Sequence, residues 1–350
     1  MRFVPIPCLK ENMILGKNLY SNNNQLLLRE GQPITRSYIK KFEEIGLQGI
    51  YIKDNISQDI EIKDIIHNGL RRKIIQRTKD LFLYAQKNND KQAFIALNQS
   101  EKIVEKIVED IISNRNLIVN MIDLKTFDDY TFQHSVNVAV LSLVVGVAVN
   151  MDRERLYKLG LGALLHDIGK VFVDKTILNK EGRLTDSEYA KIKEHPHAGY
   201  QYLKSKFVIP ALSYIAVLDH HERYDGTGYP NGKTGDHISV FGRIIAIADV
   251  YDALISNRPY RKGLLPSEAI EYIMGGSGTL FDPNFATVFS RKVAVYPVGT
   301  CVKLSDGRIA IVVENFEGYT TRPKIRIIET EEILELRNIN NITITGIAEI

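Results

Sequence analysis

Apolar and polar positions keep different rhythms in successive stretches of this 350-residue chain. Over about Arg2–Asp59, short apolar runs alternate with polar breaks: Ile14-Leu15-Gly16, then Ser21-Asn22-Asn23-Asn24, then Leu26-Leu27-Leu28. Asn-rich turns between apolar runs predict hairpins, because Asn tolerates positive φ and bonds its own backbone. A short amphipathic helix is predicted over Thr35–Ile45, with Thr35 as its N-cap and Gly46 as its stop, and Tyr51-Ile52 reads as a closing strand. Residues 1–59 are thus expected to form a small α+β regulatory domain.

From residue 60 to 122 the rhythm becomes helical and charged, through Ile65-Ile66, Leu70, Ile74-Ile75, Leu81, Phe82 and Leu83. Asn88-Asn89-Asp90 interrupts it, and a second helix follows through Ile103, Val104, Ile107, Val108, Ile111 and Ile112. This three-and-four spacing makes a heptad-like stripe. It serves either as the seam of a homodimer or as a face packed on the same chain; too few heptads are present to choose. Residues 60–122 are accordingly a helical linker or dimerisation segment.

Residues 123–291 are helical in pattern almost throughout. The strongest apolar run, Val138–Val149, falls short of the roughly 20 residues that span a bilayer and is interrupted by Ser142, so it reads as a buried central helix without membrane insertion. Beyond Lys292 the pattern turns to strands. Val302-Lys303-Leu304, an Asp306-Gly307 turn and Ile309–Val313 predict a hairpin, and Ile325–Ile328 and Ile342–Ile344 predict more strands, giving a β-rich appendage over 292–350. The fold class is mainly α: an all-helical central domain, a small α+β N-terminal domain and a β-rich C-terminal one.

Composition adds little. Charged residues at 25% and apolar residues at 44% are ordinary for a soluble globular protein. A net charge of +3 is too small to imply nucleic-acid binding. Cys8 and Cys301 have no metal-binding spacing, and two lone cysteines fit a reducing cytosol. Met1–Pro7 lacks the apolar core and cleavage site of a secretory signal, so a cytoplasmic location is expected.

The chemistry lies in the middle stretch, which holds seven of the eight histidines. His134, His166-Asp167, His195, His220-His221 and Asp249 each stand within or at the end of an apolar helical stretch. Burying such groups without partners costs several kcal/mol apiece, so they must meet one another, a backbone group or a metal. Imidazole and carboxylate together suit first-row transition ions, and Asp can bridge two. Two ions about 3.5–4 Å apart suit hydrolysis of a phosphodiester.

The order His134, His166-Asp167, Asp249 resembles the H…HD…D arrangement of the HD phosphohydrolase superfamily. Two runs narrow the resemblance to its HD-GYP branch: His166-Asp167-Ile168-Gly169-Lys170, and His220-His221-Glu222-Arg223-Tyr224-Asp225-Gly226-Thr227-Gly228-Tyr229-Pro230. The likeness covers about 123–291 and implies an HD-type catalytic domain that hydrolyses cyclic di-GMP to linear pGpG, with onward cleavage to GMP left open, and with a hydroxide bridging two ions as nucleophile. It also implies that His134, His166, Asp167 and Asp249 hold one divalent ion. Asp167 would bridge to a second held by His195, His220 and His221. Iron or manganese is the first choice; the ligand types do not exclude zinc or nickel. Where some relatives carry a carboxylate for a third ion, this chain has Tyr130 with Asp129 beside it, which favours two ions.

Lys170 and Asp252 are the candidate catalytic and substrate-ordering residues beside Asp167, and Arg258, Arg261 and Tyr229 are candidate substrate contacts. Lys170 would meet a phosphate oxygen, and the two arginines a second phosphate or a guanine face; ordinary surface charge is the plainer reading of the arginines. Gly226 and Gly228 permit a tight loop, in which Tyr229 would shape the pocket or dock a signalling partner such as a diguanylate cyclase. His197 and His237 match no ligand position. Thr185 and Glu188 form a capping box for a helix that Pro196 would end just after His195. Other readings are hydrolysis of another cyclic dinucleotide such as cyclic GMP-AMP, and a silent sensor, which the complete ligand set disfavours.

Overall fold

The computed structural model describes residues 1–20, 25–45, 47, 49–63, 65–119, 130–180, 182–256, 263–348 and 350. They divide into two compact units, one of residues 1–64, 118–130 and 290–350, the other of 65–117 and 131–289.

In the first unit, β1 (Arg2–Pro5), β2 (Ile14–Leu15) and β5 (Gly49–Lys53) form an antiparallel sheet in the order β1-β5-β2, with Val4 opposite Ile50 and Leu15 opposite Ile52. A hairpin of β3 (Leu19–Tyr20) and β4 (Leu26–Leu28) precedes α1 (Arg36–Glu44). Thr35 caps α1 as expected, its hydroxyl accepting from the Tyr38 amide; the expected stop at Gly46 lies outside the described residues. Val4, Leu15, Ile34, Phe42, Ile50 and Ile52 make the core of this segment.

The C-terminal sheet is antiparallel, in the order β10-β6-β7-β8-β9: β6 (Cys301–Leu304), β7 (Ile309–Glu314), β8 (Lys324–Ile327), β9 (Ile333–Glu335) and β10 (Ile344–Ile347). The β6–β7 turn is Asp306-Gly307, with Gly307 at φ +87°. Its core of Val302, Leu304, Ile311, Ile325 and Ile327 also takes in Tyr51, Ile60 and Ile62. The terminal segments, read from the sequence as two domains, fall in one unit, and the C-terminal core is built partly from N-terminal residues.

The second unit is helical. The α2 (Asn68–Gln86) and α3 (Asp90–Ser113) pair is followed by α4 (Tyr130–Ala148), α5 (Arg153–Leu165), α6 (Lys175–Leu178), α7 (Asp186–Ile192), α8 (His195–Lys206), α9 (Ala211–Asp219), α10 (Val240–Ile255), α11 (Pro266–Gly275) and α12 (Pro283–Lys292), whose last residues are counted with the first unit. Side-chain caps start the helices where polar residues precede apolar runs: Asn89 for α3, Asp152 for α5 and Ser239 for α10. Leu81, Phe82, Ala93 and Leu97 of the α2–α3 pair share a core with Leu161, Leu165, Leu203 and Val217. The stripe Val104, Ile107, Val108 and Ile111 is likewise buried. These four stripe residues pack within the same chain, while Ile112 is exposed.

Helix α4 is longer than its strongest apolar run; Thr131–Ala148 is by length and composition apolar enough to cross a membrane, but 72% of it is buried within the protein, as in a core helix. With α10 it is apolar nearly all round, the pattern of a helix enclosed by others. The mainly α architecture agrees with the expectation.

Candidate metal centre

Five histidines point into one space, and in four of them the ring nitrogen facing away is already engaged. His166 follows the last residue of α5, His195 opens α8, and His220 follows the last residue of α9. Their Nδ1 atoms donate to the carbonyls of Ala163 (2.8 Å), Ile192 (2.8 Å) and Val217 (2.7 Å), each three residues back in the chain. Carbonyls in a last helical turn lack helical partners, so helix ends supply the acceptors that orient these rings. A carbonyl only accepts, so Nδ1 carries the proton and Nε2 presents its lone pair inward. His134, inside α4, instead gives its Nδ1 to Asp252 Oδ2 at 2.7 Å.

The inward atoms converge on two carboxylates. Asp167 Oδ1 lies 3.3 Å from His195 Nε2 and 3.9 Å from His220 Nε2; its Oδ2 lies 3.5 Å from His166 Nε2 and 3.9 Å from His134 Nε2. Asp249 Oδ1 is 3.0 Å from His134 Nε2 and 4.0 Å from His166 Nε2, and Oδ2 is 3.8 Å from His221 Nδ1. All seven expected ligands are therefore brought together.

Electrostatics separate these groups into two kinds. Burial would lift Asp167, yet Lys170 and the histidines hold it well below the usual carboxylate range. Asp249 is held low in the same way, chiefly by His134. Burial would lower His134, but its bonds to Asp249 and Asp252 push it up to about 9. Burial and neighbouring rings hold His220 well below the ordinary imidazole value, and burial takes His221 down to about 3.

The site's own chemistry tests whether cations fit it. His195 Nε2 and His220 Nε2 stand 3.2 Å apart, two lone pairs facing each other once both Nδ1 atoms hold protons. His166 Nε2 and Asp167 Oδ1 are buried without a hydrogen-bond partner. Such groups are costly unless compensated, and a divalent ion compensates them all. Three ligand sets lie within coordinating reach: Asp167, His195, His220 and His221; His134, His166 and Asp167; and His166, His220 and Asp249. Asp167 belongs to the first two, as a bridge would.

The chain is similar to known proteins. The HD domain family matches residues 106–285, just over half the chain. The chain belongs to the HD domain family. Its two motif runs put it in the HD-GYP branch, as expected from them. A cyclic di-GMP phosphodiesterase of Pseudomonas aeruginosa is 38% identical over 225 residues, 64% of this chain and 54% of that protein. A 3'3'-cGAMP-specific phosphodiesterase of Vibrio cholerae is 40% identical over 163 residues, 47% of this chain and 37% of that protein. The chain thus spans about half or less of the length of these relatives. The solved structure of an HDG"Y"P protein from Bdellovibrio bacteriovorus shares the fold, with TM-score 0.51 and 18% identity, over 82% of this chain and 97% of that one.

Around the HD centre, the other expected residues take distinct places. Lys170 Nζ donates to Asp167 Oδ2 at 2.7 Å while its side chain stays 33% exposed. Asp252 is fully buried between His134 and Asn137, away from any solvent-facing surface. Tyr229 lays its ring on His221, centroids 4.8 Å apart at 30°, and burial raises its phenol above the ordinary value. Arg258, Arg261 and Asp129 lie outside the described residues. His197 and His237 are exposed and belong to none of the ligand sets.

Two local expectations need correction. Pro196 does not end a helix; it stands in the first turn of α8, where its missing N–H would have had no helical acceptor. The Thr185–Glu188 capping box does form, but on α7, one helix earlier. Gly226 has positive φ (+86°), whereas Gly228 is needed for close approach: a Cβ there would sit 2.3 Å from the Arg223 nitrogen. Sequence reasoning also missed what holds this loop. Buried Glu222 accepts from the amides of Asn231 (2.8 Å) and Lys233 (3.0 Å), and buried Asp219 from Lys233 Nζ (2.7 Å) and the Ser239 amide (2.9 Å). Acidic residues flanking a histidine pair were the available signal.

Proposed function

We propose that this HD-GYP protein is a metal-dependent phosphodiesterase that opens cyclic di-GMP to linear pGpG. The observation that carries the reading is the set of inward lone pairs on His166, His195 and His220, each fixed by a carbonyl of its own backbone and gathered on Asp167. His134, His166, Asp167 and Asp249 would hold one divalent ion, and Asp167, His195, His220 and His221 the second. Iron or manganese is the preferred pair. Bound there, the ions would make water a nucleophile near neutral pH and offset charge on the phosphodiester.

The chain's own residues supply the rest. Lys170, a third exposed beside Asp167, meets a phosphate oxygen as a point charge. Tyr229, its phenol kept neutral, closes the side of the site next to His221 and offers a hydrogen bond to the substrate. Arg258 and Arg261 are assigned to the second phosphate or a guanine face, on the motif resemblance. Asp252 is reassigned from the substrate to His134.

The test is anaerobic purification, metal analysis and incubation with cyclic di-GMP, beside His166→Ala and Asp167→Ala. About two metal equivalents, with pGpG formed by the unmutated protein alone, is the expected result. Full metal loading without product would overturn the assignment. The resemblance to a cGAMP-specific enzyme supports one second reading, a different cyclic dinucleotide; faster turnover of 3'3'-cGAMP than of cyclic di-GMP in the same assay would establish it.

A further inference from the structure

His134 differs from the other inward histidines in how it is held. His166, His195 and His220 use carbonyls at helix ends; His134 is the fifth residue of α4, where the carbonyls are engaged by the helix itself. Its orientation must come from another element, and Asp252 Oδ2 supplies it at 2.7 Å. Asp252 Oδ1 in turn accepts from Asn137 Nδ2 at 2.8 Å. The Asn137 amide oxygen accepts from Arg71 Nη2. This order is chemically fixed, because a carboxylate only accepts and a guanidinium only donates, so the amide between them has one workable orientation. Asn137 and Asp252 are 1% and 0% exposed. Arg71 stands in the first turn of α2, outside residues 106–285 that match the HD domain family.

We propose that Arg71, Asn137 and Asp252 are positioning residues that act in series on His134, so that the α2–α3 pair sets the metal affinity of the HD centre. A buried carboxylate requires compensation; Asp252 has His134 on one oxygen and, one amide away, the Arg71 cation. Withdrawing Arg71 frees the Asn137 amide to turn, which loosens Asp252 and then the His134 ring. Partners that orient a ligating histidine change metal affinity when removed, by about 10–100-fold. The inference rests on the metal-centre reading above.

The experiment is a Mn²⁺ titration of the metal-free full chain against a competing chelator. Arg71→Gln is expected to weaken Mn²⁺ binding about tenfold, and Asn137→Ala, which breaks the middle link, by a similar factor. Arg71→Gln combined with Asp252→Asn should bind no more weakly than Asp252→Asn alone, since all three act through one ring. In ¹⁵N-histidine-labelled protein the His134 Nδ1–H resonance should shift in Arg71→Gln, which a surface charge without this connection would not cause. Parental Mn²⁺ affinity in folded Arg71→Gln or Asn137→Ala protein would overturn the proposal, as would fully additive losses in the double variant. His166→Ala separates the two ideas: if it too leaves Mn²⁺ binding unchanged, the metal-centre reading has failed and the positioning series falls with it.

Discussion

Gly169, in the 3-10 turn Ile168–Phe172 directly after Asp167, faces the start of α8, where His195 stands. A Cβ on Gly169 would sit 1.9 Å from the His195 carbonyl oxygen and 2.6 Å from the Gly199 nitrogen. Ordinary contact begins near 3.4 Å, so Gly169→Ala lacks about 1.5 Å of room. The obstructing atoms are backbone and cannot swing aside as a side-chain tip does. The turn and α8 must therefore separate, and with them Asp167 Oδ1 and His195 Nε2, now 3.3 Å apart. Metal–ligand distances tolerate about 0.2 Å, far less than that displacement.

Overpacking costs about 1–3 kcal/mol where side chains can adjust, so about 3 kcal/mol is expected against fixed backbone. For a unit of this size that lowers the Tm by about 6–12 °C. The assay is a thermal melt paired with Mn²⁺ titration, with Gly275→Ala as control: Gly275 closes α11 with nothing within 4 Å of a built Cβ. Gly169→Ala should melt early and lose the ion on the His195 side, while the control keeps both properties. A Gly169→Ala protein melting within about 2 °C of the parent, with parental Mn²⁺ binding, would refute the close-approach reasoning.

Two further outcomes follow from groups already described. In metal-free protein, His134 is raised from 6.5 to about 9, a stabilisation of about 3 kcal/mol that is full below pH 6.5 and lost as pH rises through 9; the stability difference between the parent and His134→Gln, measured by urea unfolding, should therefore shrink between pH 6.5 and 9.5, and a difference that grows would show the sign to be wrong. Thr185→Ala removes the hydroxyl that accepts from the Glu188 amide at 3.3 Å and should cost about 1 kcal/mol, seen as a Tm drop of about 2–4 °C with unchanged Mn²⁺ affinity; a loss of Mn²⁺ binding would mean that α7 does more than start the approach to His195.

The parts of this protein that local chemistry determines were readable from its sequence. Thr35 and Thr185 announce helices because their hydroxyls satisfy amides a few residues away, and Asp306-Gly307 announces a hairpin because glycine accepts its φ of +87°. His166, Asp167, His195, His220 and Asp249 stand out as polar groups within or at the ends of helical stretches. What was not readable depends on segments far apart in the chain. Ile60 and Ile62 join a core built mostly from residues 298–348, and no periodicity near residue 60 announces that. Asp252 has the three-residue spacing from Asp249 that suggests a shared face, yet its partners are His134 and Asn137 on α4. Gly169 and Gly228 are legible as glycines, but only the packed structure says that close approach, not φ, requires them.

The same distinction divides the HD centre itself. His166, His195 and His220 are oriented by carbonyls three residues back, so any chain that folds these helix ends also aims these rings. His134 and Asp249 come from within α4 and α10 and hold each other at 3.0 Å; the aim of His134 depends on side chains supplied by other helices. A change in α2 can reach His134 through Arg71 and Asn137 without disturbing the backbone that aims the other three. Sensitivity to neighbouring elements is therefore concentrated on the ion that His134 would hold, while the pocket of Asp167, His195 and His220 follows the fold of the domain. Loss of the His134-side ion first in Arg71→Gln, against loss of the His195-side ion in Gly169→Ala, is the behaviour that this division of labour requires.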